Sequence, residues 1–182
     1  MIDARFIAEL EGYSTRGYVP DPENSESGVT VGMGVDLAHA NIHRMTLPQE
    51  LKDKLVPYKG LKGKKALKFL EKKPLLLTPQ EAVMLSKVAT VRYTTFVKNF
   101  WNADSDVDWS AVPDAIQTIA FSVLYQYGRP ARVPKFWKAI TALDVAEGVA
   151  ELRDFGDRYP TRRNKEADYL LESLDMKGTY YA

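Results

Sequence analysis

A chain of 182 residues, 45% hydrophobic and 27% charged, has room for one domain or one domain of two lobes, and its composition excludes a disordered or low-complexity protein. Twenty-five basic and 24 acidic residues leave a formal net charge of +1, so no whole-molecule field draws the chain toward nucleic acid or a membrane surface. There is no cysteine. Disulfides and thiolate-held metals are therefore excluded, a composition that suits both a reducing cytosol and delivery into an oxidising compartment.

The N-terminal Met1-Ile2-Asp3-Ala4-Arg5 carries an early acid and no long apolar core, so it does not read as a signal peptide. No apolar run approaches the roughly 20 residues of a membrane span, and stable membrane insertion is not expected. Residues 2–11 read as a helix with Ile2, Phe6, Ile7 and Leu10 on one stripe, stopped by Gly12. Residues 17–20 and 29–33 read as short strands. Between them, residues 21–28 are dense in turn formers, which predicts a hairpin with a long loop.

From Leu37 onward the pattern is helical. Helices are predicted over 47–57, 61–72, 78–101, 110–127, 134–143, 145–155 and 162–174. Thr78-Pro79-Gln80-Glu81 is a capping box with proline at the first helical position. Apolar residues cover much of the circumference of 110–127, as in a central buried helix, and Gly128 and Pro130 end it. The organisation expected is a single α+β domain, predominantly α. A small hairpin lobe (about 12–60) precedes a larger helical lobe (1–11 and about 61–182), with the active-site cleft between them.

The residues that carry chemistry lie near the N-terminus. Glu11 ends the first helix. About twenty residues later comes Thr30-Val31-Gly32-Met33-Gly34-Val35-Asp36. If that string stays extended, Thr30, Gly32, Gly34 and Asp36 share one side, and the two glycines let a ligand approach the backbone. Splitting a glycosidic bond calls for one carboxylic acid and one carboxylate on opposite sides of a sugar, and Glu11 and Asp36 are candidates for that pair. Glu9, on the same helix with no glycine after it, is expected on the surface.

These residues resemble the phage-type lysozymes, most closely their pesticin-like muramidase branch. The likeness rests on Leu10-Glu11-Gly12, Gly17-Tyr18-Val19-Pro20 and the string from Ser27 to Leu37. In outline it extends to Tyr125-Gln126-Tyr127-Gly128 and Arg162-Arg163-Asn164-Lys165-Glu166-Ala167. The resemblance implies a lysozyme-like fold that hydrolyses the β-1,4 bond between N-acetylmuramic acid and N-acetylglucosamine in peptidoglycan, without a cofactor and with inversion. Carried over by position, Glu11 is the general acid, Thr30 the catalytic threonine and Asp36 the catalytic aspartate. Asp21, which precedes the threonine as in the better known phage lysozymes, is the alternative base. Gly32, Gly34, Gln126 and Tyr127 are candidate substrate contacts.

Further expectations follow from the same likeness. The partner is the peptidoglycan glycan strand, joined by an inhibitor or immunity protein if the chain is a toxin domain. The protein is expected to be a monomer, made in the cytoplasm and acting in the periplasm or on the wall after holin release or secretion. A lytic transglycosylase and a wall-binding domain without turnover are the rival readings.

Three features fall outside that scheme. His39 and His43, the only histidines, read as a solvated pair rather than a metal site. Residues 52–73 hold nine lysines against Asp53 and Glu71, either a solvated helical face or a surface for an anionic polymer; few aromatic residues are interleaved, which argues against nucleic acid. Asp104, Asp106 and Asp108 lack the glycine and glutamate of a calcium loop and read as the loop before the next helix. Arg162 and Arg163 are expected to pair with acids and fix the fold.

Overall fold

A computed structural model describes residues 1–175. Asp3 starts the first helix, accepting hydrogen bonds from the backbone N–H groups of Arg5 and Phe6 at 2.9 and 3.0 Å, the geometry of an N-cap. Helix α1 therefore spans Ala4–Glu11. Gly12, with φ at 72°, closes it by donating to the Ala8 carbonyl at 3.0 Å. The chain forms two units: residues 8–92, and residues 1–7 together with the chain from Tyr93 onward.

Residues 8–92 hold a three-stranded antiparallel sheet, β1 (Ser14–Tyr18), β2 (Thr30–Gly32) and β3 (Val35–Asp36), in the order β1-β2-β3. The first strand begins earlier than the pattern of residues 17–20 predicts, because its other edge is also paired. Gly17 N–H donates to the Leu75 carbonyl at 2.9 Å, and Leu77 N–H donates to Thr15 at 2.8 Å. The strand read over 29–33 is β2, which pairs antiparallel with β1 across the long loop as predicted, and the chain then turns straight back into β3. Val31 pairs with Val35, leaving Gly32-Met33-Gly34 as the loop, with both glycines at positive φ (67° and 71°). Left-handed backbone of this kind is open to glycine at little steric penalty and breaks an extended run.

Helices α2 (Gln49–Leu55), α3 (Gly63–Lys72) and the first half of α4 (Pro79–Asp104) complete this unit. Thr78 and Glu81 form the predicted box: Thr78 N–H donates to the Glu81 carboxylate at 2.8 Å, and Glu81 N–H donates to the Thr78 hydroxyl at 3.2 Å. The core gathers Val29, Val31, Leu37, Leu51, Leu55 and Leu85, each essentially inaccessible to solvent. The loop 21–28 is held by charge as well as by backbone: Lys62 pairs with Glu26 at 3.2 Å and Lys64 with Glu23 at 2.5 Å.

In the other unit α5 (Asp114–Tyr127) is buried along its whole length from Ala115 to Leu124, as its all-round apolar pattern predicts. It packs against α6 (Pro134–Thr141) and α8 (Pro160–Asp175), and α7 (Val145–Arg153) packs on those two helices. Trp101 is the hub of a tryptophan cluster, its ring 5.6 Å from Trp109 and 6.0 Å from Trp137. Asp104 accepts from the Trp137 indole at 2.8 Å. Asp108 caps a short 3-10 turn at Trp109–Ala111 by accepting from Ser110 N–H at 2.8 Å. That turn is why α5 starts later than the predicted residue 110.

Arg163 and Glu166 carry buried charge at 1% and 0% exposure. Glu166 accepts from Arg163, from Arg162 at 3.1 Å and from the Ser122 hydroxyl at 2.5 Å. Arg163 also donates to Asp157 at 3.0 Å and lies over the Phe155 ring at 4.6 Å. Burial works against the Asp157 charge, but hydrogen bonds from Tyr127, the Tyr159 backbone and Arg163 outweigh it and hold the carboxyl below its ordinary 3.8.

Arg163→Ala removes the buried cation shared by Glu166 and Asp157, leaves Glu166 with Arg162 alone, and is predicted to destabilise by about 3–5 kcal/mol, read by urea denaturation. For Asp157 the folded-state value lies below the unfolded one. Its stabilisation is therefore complete above 3.8 and is lost as pH falls through the folded value. Melting temperatures between roughly pH 5 and pH 2 should fall more steeply for the wild type than for Asp157→Asn.

Candidate active site

The sheet sorts its side chains by alternation. Val29, Val31 and Val35 point into the core at 0%, 0% and 4% exposure. A Cβ on Gly17 would also meet that core, 3.0 Å from both Leu75 Cβ and Val29 Cγ1. Tyr18, Thr30 and Asp36 therefore belong to the opposite face. The register sets them side by side: Tyr18 pairs with Thr30, and Thr30 pairs with Asp36. Thr30 and Asp36 do not share a side by lying on one extended strand, as the sequence suggests. They are cross-strand partners in a hairpin, which brings their Cβ atoms to about 4.5–5.5 Å.

Backbone amides hold the Asp36 carboxylate. Gly28 N–H donates to both oxygens at 3.1 and 3.2 Å, and Ala38 N–H donates at 2.8 Å. His39 Nε2 stands 3.9 Å from the second oxygen. Thr30, 3% exposed, donates its hydroxyl to the Gly28 carbonyl at 3.3 Å. Gly28 thus serves both residues. It has no space for a side chain: a Cβ would lie 2.4 Å from Ala38 Cβ, 2.7 Å from the Leu61 carbonyl and 2.8 Å from the Asp36 carboxylate.

Glu11 is half-buried at the end of α1, whereas Glu9 is exposed. Burial and then the Glu11 charge push the Tyr18 phenol above its ordinary value, so the glutamate acts on the Tyr18 end of the Tyr18-Thr30-Asp36 row. Gly32 packs on α4, where a Cβ would come 2.6 Å from the Ser86 hydroxyl. That hydroxyl also accepts from Met33 N–H at 3.0 Å. In this structure the glycine serves the packing of hairpin on helix.

The remaining candidates make contacts of their own. Asp21 is an exposed turn residue with φ at 40°. Its carboxylate accepts from the side-chain and backbone nitrogens of Asn24, at 3.0 and 3.3 Å. Gln126 and Tyr127 belong to the other unit, where Gln126 accepts from Arg163 and Tyr127 donates to Asp157 at 2.6 Å. Burial, then the Asp157 contact, pushes the Tyr127 phenol up to about 12. His43 lies on a short 3-10 turn, Ile42–Arg44, so the two histidines do not share an α-helix. Among the described residues no three His, Cys, Asp or Glu side chains gather to hold a metal ion.

A family model described as pesticin, a bacterial toxin homologue of phage lysozyme, C-terminal, matches residues 1–146. The chain belongs to the pesticin family. No curated protein matches it. Membership makes the fold a lysozyme-like α+β fold, predominantly helical, and makes the chain a homologue of a glycosidase-type enzyme. The matched span includes Glu11, Thr30 and Asp36 and ends before α8, so Arg162 to Ala167 lie outside it.

Sequence reasoning assigned no task to Gly28 or Ser86. The signal for Gly28 was a glycine two residues ahead of β2, at the end of a loop that must close over an acid eight residues on. Gly28→Ala is predicted to destabilise by about 1–3 kcal/mol through overpacking, measured as a shifted urea midpoint followed by far-UV circular dichroism.

Proposed function

We propose that this member of the pesticin family is a peptidoglycan muramidase. It hydrolyses the β-1,4 bond between N-acetylmuramic acid and N-acetylglucosamine by an inverting general acid/base route. The observation that carries this reading is the cross-strand pairing of Thr30 with Asp36, with the Asp36 carboxylate held on two backbone amides.

In this mechanism Glu11 gives its proton to the glycosidic oxygen as the bond to the anomeric carbon breaks. Asp36 takes a proton from a water molecule, and that water's oxygen attacks the anomeric carbon from the opposite face. Thr30 orients the water. The products are a free alcohol on the leaving sugar and a hemiacetal of inverted configuration. Water has to fit between sugar and carboxylate, which calls for carboxyl groups about 6.5–9.5 Å apart. The toxin homologue in the family description favours an antibacterial toxin or effector role beside a phage endolysin role. Either delivers the domain to the wall, as a monomer on glycan strands, and a toxin role brings an immunity protein as partner.

Purified peptidoglycan digested by the wild type should release muropeptides with reducing muramic acid ends, seen by mass spectrometry. Glu11→Gln and Asp36→Asn are each predicted to lose about 10²–10⁴-fold in rate while keeping their circular dichroism, and Asp21→Asn to stay near wild type. Anhydro ends would make the chain a transglycosylase. A folded wild type that releases nothing would leave a wall-binding domain.

A further inference from the structure

We infer that Tyr18 is a substrate-contacting residue of this site, holding the sugar unit between Glu11 and Asp36 by its ring face and its phenolic O–H. The inference rests on the muramidase reading above. Its geometric basis is the row across the sheet: Tyr18 pairs with Thr30 and Thr30 with Asp36, so the three side chains rise from one face. Two strand spacings separate Tyr18 from Asp36, about 10 Å, a gap that a single pyranose ring fills. Tyr18 is thus the far wall of the place where the bond would be cut, on the side that feels Glu11.

The state of the side chain fits the task. A partly buried tyrosine ordinarily finds a hydrogen-bond partner for its hydroxyl. Among the described residues the hydroxyls of Tyr13, Tyr58, Tyr93, Tyr127 and Tyr169 do so, on Pro79, Lys73, Leu124, Asp157 and Asp3. Tyr18 is 40% exposed. Among the described residues its hydroxyl has no partner and no other aromatic ring packs on it. The raised phenol stays protonated and remains a donor wherever the enzyme works. A donor beside an open aromatic face suits a sugar, whose hydroxyl and acetamido oxygens accept while its C–H face lies on the ring. The core does not need this side chain, since the inward position on the strand is Gly17.

The test uses a tetrasaccharide of alternating N-acetylglucosamine and N-acetylmuramic acid, with two readouts. Binding is measured by calorimetry in the Glu11→Gln background, and turnover on peptidoglycan in the otherwise wild-type chain. Tyr18→Ala is expected to weaken tetrasaccharide binding by about 10- to 100-fold and to raise KM on peptidoglycan accordingly, with an unchanged melting temperature. Tyr18→Phe keeps the ring and should lose about 3- to 10-fold. Equal affinity and equal kcat/KM in Tyr18→Ala and wild type would overturn the inference while leaving the muramidase reading intact. A wild type that binds the tetrasaccharide through Tyr18 without cleaving peptidoglycan would overturn that reading and keep the contact. A folded wild type that does not bind the tetrasaccharide overturns the contact.

Discussion

The amide of Gly28 reaches both oxygens of Asp36, while its carbonyl receives the Thr30 hydroxyl. Three parts of the chain meet in those bonds: the end of the acidic loop, the start of β2 and the end of β3. A carboxylate bonded to backbone amides cannot swing as one on a surface loop can, and a threonine tied to the same peptide keeps its place beside it. The constraint falls on one position because only a residue without a side chain lets Ala38, Leu61 and Asp36 close in. Everything proposed for the chemistry depends on this junction, which sets where the base and the water-orienting hydroxyl stand relative to the strand that carries Tyr18.

The other unit solves a different problem. Its central helix is almost wholly buried, yet Ser122 on that helix accompanies a charged pair on α8. Desolvating Arg163 and Glu166 is unfavourable, and the structure offsets it by saturating them with Asp157, Gln126, Arg162 and Ser122. Gln126 and Tyr127 are thereby tied to the interior of their own unit. Their polar atoms hold the arginine and the aspartate that orient α8, a structural part beside the sugar contact expected from their position in sequence.

Helices were legible in the sequence where capping chemistry and period agreed. Thr78 and Glu81 fixed one end of α4, Gly128 the end of α5, and the apolar circumference of α5 its burial. The sheet was harder to read. β1 gains its early residues from Leu75 and Leu77, some sixty positions away, and no local pattern announces such a partner. The Thr30–Asp36 string misled in form: alternation suggested one extended strand, and positive φ at Gly32 and Gly34 turned it back on itself. The two side chains came together all the same, because a three-residue loop centred on Met33 makes positions 30 and 36 cross-strand partners. Glu11 was read from its place at a helix end and from family likeness. Its electrostatic effect on the Tyr18 phenol had no signal in the sequence.

The three tryptophans of the chain, Trp101, Trp109 and Trp137, all lie in the unit from Tyr93 onward. Residues 8–92, which carry Glu11, Thr30 and Asp36, contain none. Intrinsic tryptophan fluorescence therefore has no emitter inside the sheet unit, and of the three rings only Trp101 stands on an element that the unit shares, the helix α4. A tryptophan introduced at an exposed position of α2 or α3 would give the silent half a signal of its own.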